Sequence, residues 1–267
     1  MKIFTVDTFT NKPFTGNQAG VCILDKEIDD SLMLQIAKEL NYSETAFALP
    51  LKVNNNNKFN LRWFTPKQEV DLCGHATLAT SRVLYENGLV NKNLSIEFET
   101  RSGVLATNIS GEKIIMNFPS KQVNQIDADE IIIKFTQANP VFVGTNENWC
   151  LVELENEKAV KSITPDFELL KTHRQKVFTI TAKSDNPEFD FVSRCFGPAV
   201  GINEDPVTGS AHCYLAPYWK DKLKKKKMIG FQASERTGKI ECELIENGRV
   251  LLTGESLIMC EIKQNWA

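Results

Sequence analysis

The chain carries one sequence pattern twice, and this repetition constrains its fold more than any other feature. In each copy an apolar strand ends at an aromatic-x-Pro corner, a polar loop follows, and a helix begins at glycine. The copies are Phe64-Thr65-Pro66 with Asp71-Leu72-Cys73-Gly74-His75-Ala76-Thr77, and Phe196-Gly197-Pro198 with Asp205-Pro206-Val207-Thr208-Gly209-Ser210-Ala211-His212. Glycine permits close backbone approach, and the first helical turn presents N–H groups and positive dipole. The pair predicts two helix starts converging on one small acid.

The elements around the two corners are predicted to recur in the same order. In the first half, strands near 2–9, 19–24, 44–49 and 58–65 alternate with helices over 30–40 and 75–87, before short strands near 94–99, 103–108 and 113–118. In the second half, strands near 140–145, 149–154, 177–182 and 189–196 alternate with helices over 165–173 and 209–220, before short strands from 228 onward. Gly209 lies 135 residues after Gly74. We therefore predict an internal duplication.

Composition excludes several classes of function. The chain has 267 residues, a net charge of -3 and no strongly basic face, so nucleic acid is not expected as a partner. No apolar run approaches the roughly 20 residues of a membrane span, and none of the seven scattered cysteines forms a C-x-x-C pair. We expect reduced thiols, no structural zinc and a cytoplasmic location.

Candidate catalytic groups lie at the corners and at one strand end. His75 follows Gly74 at a helix start, where the dipole favours neutral imidazole, and it is either a proton acceptor or merely a helix cap. Cys73 is either an activated thiol or a small buried filler. Glu44 opens an otherwise apolar strand, where burial would raise its pKa, although an exposed strand-end glutamate is the commoner arrangement.

The second corner offers a different pair of polar groups. Ser210 can present its hydroxyl and N–H to a carboxylate, and Asp205 can orient an amine or another side chain. Loop and cap roles are the alternative for both residues. The chain has three histidines, no cluster with metal-ligand spacing and no G-x-S-x-G elbow, so neither a metal nor a serine hydrolase is expected.

Five segments, taken in order, resemble the phenazine-biosynthesis (PhzF-like) isomerase family, which shares the diaminopimelate epimerase fold. They are Asp7-Thr8-Phe9-Thr10-Asn11-Lys12-Pro13-Phe14-Thr15-Gly16-Asn17, Ser43-Glu44-Thr45-Ala46-Phe47, Phe64-Thr65-Pro66, Leu72-Cys73-Gly74-His75-Ala76-Thr77 and Glu204-Asp205-Pro206-Val207-Thr208-Gly209-Ser210-Ala211. The resemblance implies an α+β fold of two pseudo-symmetric domains, each a curled, mostly antiparallel sheet around a central helix. We place the domains at 1–120 and 121–255, with a last strand near 256–263 joining the first and the active site in the crevice between them.

The resemblance also implies roles for individual residues. Glu44 would be the general acid/base of a cofactor-independent isomerase acting on a small carboxylate-bearing metabolite, and the protein would be a homodimer. Catalytic roles would fall to Glu44, His75 and Asp205. Substrate-binding roles would fall to Asn17, Ser43, Cys73, Gly74, Gly209 and Ser210.

Two departures from the family pattern bear on these expectations. Gln18 stands where the family commonly has proline, so contacts near Asn17 are expected to differ. Epimerase relatives use two opposed cysteines, but no cysteine lies between Cys195 and Cys213 at the second corner. An amino-acid racemase or epimerase using Cys73 or Glu44 is the enzymatic alternative. A non-catalytic metabolite-binding or interaction module is the alternative outside enzymes.

Overall fold

A computed structural model describes residues 1–51 and 57–266. The chain divides into two compact units, one of Met1–Asn117 with Thr253–Ala267 and the other of Phe118–Leu252. Within the described residues, no helix has the length and apolar character needed to cross a membrane.

Among the described residues, the first unit contains eight complete strands and two helices. The chain leaves this unit within β8 and returns to it within β17 (Arg249–Gly254). Its elements are β1 (Lys2–Thr8), β2 (Asn17–Ile23), α1 (Asp30–Leu40), β3 (Glu44–Pro50), β4 (Lys58–Phe64), β5 (Glu69–Val70), α2 (Gly74–Glu86), β6 (Ile96–Thr100), β7 (Gly103–Ser110), β8 (Lys113–Pro119) and β18 (Ser256–Ile262). Strand β1 pairs antiparallel with β2 and with β18. The parallel pairs β2–β3 and β4–β6 each span a helical crossover, and β3–β4, β4–β5, β6–β7 and β7–β8 are antiparallel.

The second unit repeats this pairing scheme. Its elements are β9 (Asn124–Gln125), α3 (Glu130–Thr136), β10 (Phe142–Asn146), β11 (Trp149–Glu153), α4 (Glu157–Ser162), α5 (Phe167–Lys171), β12 (Val177–Lys183), β13 (Phe191–Gly197), a 3-10 turn (Pro198–Val200), β14 (Ile202–Asp205), α6 (Gly209–Leu223), β15 (Lys227–Gln232), β16 (Gly238–Ile245) and β17 (Arg249–Gly254). Pairs β11–β12 and β13–β15 are parallel, whereas β10–β11, β12–β13, β13–β14 and β15–β16 are antiparallel. The order of parallel and antiparallel pairs matches the first unit, as the duplication predicts.

Each unit encloses one helix. The residues of α2 from His75 through Leu84 are all buried, and those of α6 from Ala211 through Pro217 are likewise buried. A helix that is buried on every side must be surrounded by the structure around it. The core against α2 contains strand residues such as Val21, Ala46 and Trp63. These features confirm the predicted α+β class, with a sheet curled around a central helix in each unit.

The helix predicted over 165–173 is shorter in the structure, and the sequence prediction missed two others. Helix α5 begins only at Phe167, because the Asp166 side chain accepts the Leu169 N–H as an N-cap. Helices α3 and α4 are capped in the same way by Asp129 and Asn156. With seven residues or fewer in each helix, local caps rather than an apolar periodicity define them.

Candidate active site

Glu44 is the first residue of β3, at the end of a strand whose next four residues are buried. Its backbone pairs with Ala19 of the parallel strand β2. The side chain is only 13% exposed, so the alternative of an exposed strand-end glutamate is wrong. Carboxylates are rarely buried to this extent unless other polar groups contact them.

Three polar side chains surround this carboxylate. The Glu44 Oε2 lies 3.4 Å from His75 Nε2. The same imidazole nitrogen lies 3.3 Å from Ser43 Oγ, and the other ring nitrogen, Nδ1, lies 3.4 Å from Cys73 Sγ. Ser43 and Cys73 also hydrogen-bond Glu44. The first unit therefore brings together four of the residues predicted from the sequence.

Burial raises the pKa of the Glu44 carboxyl above its ordinary value. The hydrogen bonds from Ser43 and Cys73 favour the ionised form and partly offset this effect. A carboxyl group whose pKa moves toward neutrality can both release and accept a proton near physiological pH. This is the property that a single proton-relay group requires.

The start of α2 explains how His75 and Cys73 reach Glu44. Cys73 occupies the N-cap position, and Gly74 is the first helical residue. The Cys73 thiol faces the His75 ring instead of capping the helix. His75 lies inside the first turn with its ring directed at Glu44, so it is more than a helix cap. Asn17 begins β2 and is buried, and its carbonyl oxygen accepts the Thr8 hydroxyl.

The second corner has the same backbone plan with other side chains. Thr208 is the N-cap residue of α6, Gly209 is the first helical residue, and Ser210 is exposed in the first turn. The Thr208 hydroxyl donates to Asp205 Oδ2 at 2.5 Å instead of capping the helix. Asp205, Gly209 and Ser210 thus lie together, and their predicted action with Glu44 stays a prediction.

Sequence reasoning missed two polar residues at this corner, Thr208 and Gln232. Thr208 lies inside the quoted motif, and its position directly before glycine was the available signal. Gln232 is the polar last residue of the apolar strand Met228-Ile229-Gly230-Phe231, and its side chain contacts both Thr208 and Asp205. A buried amide at the end of a strand has no sequence signature that distinguishes it from a surface residue.

The cluster of Glu44, Cys73 and His75 also has the spacing of a metal-ligand set. One donor atom from each residue lies within 4.8 Å of the others. Carboxylate, thiolate and imidazole are all ligands that zinc accepts. The expectation of a metal-independent protein therefore stays a prediction, and a chelator control belongs in any activity assay.

Known proteins resemble this chain over nearly its full length. An uncharacterized isomerase of Halalkalibacterium halodurans is 44% identical over 256 residues, which cover 96% of this chain and 95% of the relative. The crystal structure of a PhzF-family phenazine biosynthesis protein from Enterococcus faecalis has a TM-score of 0.91 and 36% identity, covering 98% of each chain.

A more distant relative shares the fold alone. The hydroxyproline epimerase of Agrobacterium vitis has a TM-score of 0.62 at 10% identity, covering 98% of this chain and 91% of that one. The model of the phenazine biosynthesis-like protein family, PhzC-PhzF, matches residues 6–261 and so includes both corners and Glu44. The duplicated fold and the motifs at both corners thus have one explanation: this chain belongs to the PhzC-PhzF family of phenazine biosynthesis-like proteins, whose relatives include proteins named isomerases.

Proposed function

We propose that this protein is a cofactor-independent isomerase that moves a proton on a small carboxylate-bearing metabolite, with Glu44 as the general acid/base. The observation that carries the proposal is the burial of the Glu44 carboxylate against Ser43, Cys73 and His75. Such a cluster costs folding free energy because polar groups leave water, and catalytic sites are where proteins commonly bear that cost.

The proposed reaction needs one group that both takes and returns a proton. Glu44 takes a proton from a carbon next to a C=C double bond of the substrate, and the electron pair of the broken C–H bond forms a new C=C bond to the neighbouring carbon. The electron pair of the original double bond then takes a proton from Glu44 at the far carbon, so the net change is isomerisation with no oxidant or reductant. Because the Glu44 carboxyl group can exchange its proton with solvent between the two steps, the product made in heavy water carries deuterium. His75 would hold the Glu44 carboxyl group in place through its Nε2, which lies 3.4 Å from Glu44 Oε2.

The substrate carboxylate would be held by helix starts. Backbone N–H groups and the helix dipole favour an anion there, and the Cys73 and Thr208 side chains are directed to other groups rather than to capping. We assign Gly74 and Gly209 to close backbone approach, with Asn17, Ser43 and Ser210 as further polar contacts. Asp205 would orient the polar part of the substrate.

A racemase or epimerase is the second candidate, because Cys73 Sγ lies 3.4 Å from an imidazole nitrogen that could take its proton. A two-thiol mechanism requires a second cysteine, and the N-cap of α6 is Thr208. A metabolite-binding module without catalysis would retain the cluster for binding alone.

Deuterium incorporation tests these alternatives. The protein is incubated in heavy water with a panel of small amino acids, hydroxy acids and enolisable carboxylates, with and without a chelator, and exchange is followed by mass spectrometry. Exchange that is lost in Glu44→Gln, retained in Cys73→Ser and unaffected by the chelator supports the proposal. Glu157→Gln, a buried carboxylate of α4 in the other unit, is the control that should keep activity.

Other outcomes select the rival functions. Exchange that depends on Cys73 favours the epimerase, and exchange abolished by the chelator favours a metal-dependent reaction. Tight binding of a panel member without exchange would favour the non-catalytic metabolite-binding module. We further propose a cytoplasmic homodimer, which sedimentation analysis and cell fractionation would test.

A further inference from the structure

Gln232 makes three hydrogen bonds to the corner that begins α6. Its Oε1 accepts the Thr208 backbone N–H at 2.8 Å, while its Nε2 donates to the Asp205 carbonyl oxygen at 2.7 Å and to Thr208 Oγ1 at 3.2 Å. The side chain is completely buried at the end of β15. One amide therefore contacts both the N-cap residue and the predicted catalytic aspartate.

The bonding pattern fixes the direction of each hydrogen bond. A backbone N–H can only donate, so the Gln232 atom facing Thr208 N must be the oxygen, and the NH₂ group must face Asp205 O and Thr208 Oγ1. Because Thr208 Oγ1 accepts from Gln232, its own proton is directed along the 2.5 Å contact to Asp205 Oδ2. Gln232 thus sets which way the Thr208 hydroxyl points.

We propose that Gln232 is a positioning residue for the reaction, acting through Asp205. It fixes the Asp205 backbone directly and, through Thr208, keeps a donor on one carboxylate oxygen so that Asp205 presents a single orientation to substrate. This inference rests on the proposed function and on a role for Asp205 in it. It goes beyond that function by assigning a role to a residue outside the family motifs quoted above.

A purely structural explanation accounts poorly for this amide. The same loop is already held by Ser234, whose hydroxyl donates to the Pro206 carbonyl oxygen at 2.6 Å. Burying an amide costs free energy that its hydrogen bonds only offset, and an apolar residue would fill the end of β15 without that cost. What Gln232 adds beyond Ser234 is contact with Asp205 and Thr208.

The test uses Gln232→Glu, which keeps the size and the acceptor for Thr208 N–H but replaces the donating NH₂ with an acceptor. The carboxylate would then compete with Asp205 for the Thr208 proton. We expect kcat for isomerisation or exchange to fall about 10- to 100-fold with little change in KM, because a small misplacement of a catalytic group has effects of this size. The melting temperature should stay within about 5 °C of the parent.

Two further variants make the result specific. Asp205→Asn should itself lower kcat, and the double variant Gln232→Glu/Asp205→Asn should lose no more than Asp205→Asn alone, since Gln232 acts through Asp205. Gln175→Glu introduces the same change at another buried glutamine of the same unit, whose Oε1 accepts from Arg174 Nε, and should leave kcat unchanged. If Gln232→Glu is unstable, Thr208→Val removes the same directed proton.

The outcomes separate this inference from the proposed function. Three outcomes would overturn the positioning role while leaving Glu44 as the acid/base. They are losses of kcat that multiply in the double variant, a rise in the KM of Gln232→Glu with unchanged kcat, and full activity in Asp205→Asn. Activity lost equally in Gln175→Glu would also overturn it. A parent protein that exchanges no proton on any acid of the panel overturns both.

Discussion

The corners that begin α2 and α6 have the same supports for the backbone but different chemistry. At the first corner the Thr77 hydroxyl donates to the carbonyl oxygen of the N-cap residue Cys73 at 2.6 Å. At the second corner His212 Nδ1 donates to the carbonyl oxygen of the N-cap residue Thr208 at 2.8 Å. Each donor lies four residues after its acceptor, so an equivalent bond is made by a hydroxyl in one unit and by an imidazole in the other.

A second support is also shared. Ser102, after β6, donates its hydroxyl to the Asp71 carbonyl oxygen, and Ser234, after β15, donates to the Pro206 carbonyl oxygen. Both acceptors lie two residues before the N-cap, so the same device holds the loop in each unit. The duplication has kept the bonds that hold the backbone of the corner.

The groups able to react have not been kept. Glu44 begins β3, whereas Val177 begins β12 at the matching position of the parallel pair. The second residue of α2 is His75, and the second residue of α6 is Ser210. The two corners therefore share a backbone arrangement but carry unlike side chains. Under the proposed function, the first unit would transfer the proton and the second would hold a polar part of the ligand.

Glu44→Gln should have the largest effect on proton exchange. If it does not, the proposed difference in chemistry between the two units is wrong. We expect proton exchange to fall at least about 1000-fold, because Gln cannot act as a general base. The same change should stabilise the fold at neutral pH. Burial raises the pKa of Glu44 above its ordinary value of 4.5, so the carboxyl group ionises more easily in the unfolded chain than in the folded protein. The stability of the fold therefore falls as the pH rises above 4.5 toward the pKa of the folded protein.

The measurements are exchange rates in heavy water and unfolding in denaturant at pH 4 and pH 8. The stability gain of Glu44→Gln should be present at pH 8 and absent at pH 4. If Glu44→Gln retains exchange, Glu44 is not the group that transfers the proton. A gain at both pH values would mean that shape rather than charge is responsible.

His212 should make the second corner acid-sensitive in a way that the first is not. Burial lowers the pKa of His212 from 6.5 to about 4, with the bond to Thr208 opposing the shift. The unfolded chain therefore binds a proton first as pH falls, and stability is lost between about pH 6.5 and 4, by on the order of 3 kcal/mol. The protection of backbone amides against hydrogen exchange, corrected for the intrinsic pH dependence of the rate, should therefore fall in α6 over this range and should not fall in α2.

The control for acid sensitivity is His212→Thr, which installs the residue type that the first unit uses at this position, Thr77. We expect this variant to be less stable at pH 7 because it leaves a cavity, but the loss of stability that protonation of His212 causes in this window should be absent. An equal loss of protection in α2 and α6 of the parent would instead indicate a global charge effect.

Cys73→Ser gives the first corner a hydroxyl, as Thr208 gives the second. If Glu44 moves the proton, the variant should retain exchange within about 10-fold of the parent, since the thiol only supports Glu44 and His75. Cys22→Ser, a buried thiol packed with α1, serves as the control for putting a hydroxyl in the core of the same unit. A 1000-fold loss confined to Cys73→Ser would reassign the reaction to the thiol.

The corners could be predicted from the sequence because their signals are local. Gly74 and Gly209 mark helix starts, and the strands before them are apolar runs that end at proline corners. The burial of Glu44 depends instead on His75 and Cys73, about 30 residues away in the chain. The family motif identified Glu44, but composition and spacing alone could not place it beside the imidazole.

Gln232 shows the opposite case, in which no local signal existed. It lies 24 residues after Thr208, and its neighbours on β15 give only the pattern of a half-buried strand. The short helix α4 escaped prediction for a related reason, since its Asn156 cap is informative only once the helix is known to begin there. The roles of such residues depend on tertiary contacts, which cannot be predicted from the local pattern of a single sequence.

The smallest expected effect concerns the support that both units share. Ser102 is exposed and Ser234 is buried, so water should replace the bond that Ser102→Ala removes more readily than the bond that Ser234→Ala removes. Ser234 also accepts the Thr237 backbone N–H at 3.1 Å, and that donor would lose its partner. We expect losses in the free energy of unfolding of about 0.5 kcal/mol for Ser102→Ala and about 2 kcal/mol for Ser234→Ala.

Denaturant titration of the two variants, with hydrogen exchange to assign each loss to its unit, measures the ratio directly. Equal losses would mean that water replaces the lost bond as easily at the second corner as at the first. Burial would then not explain why Asp205 and Thr208 are held in place. A larger loss for Ser102→Ala would contradict the expectation that the buried bond of Ser234 contributes more to stability than the exposed bond of Ser102. The ratio therefore tests whether this bond contributes differently to the stability of each unit, even though its acceptor lies two residues before the N-cap in both.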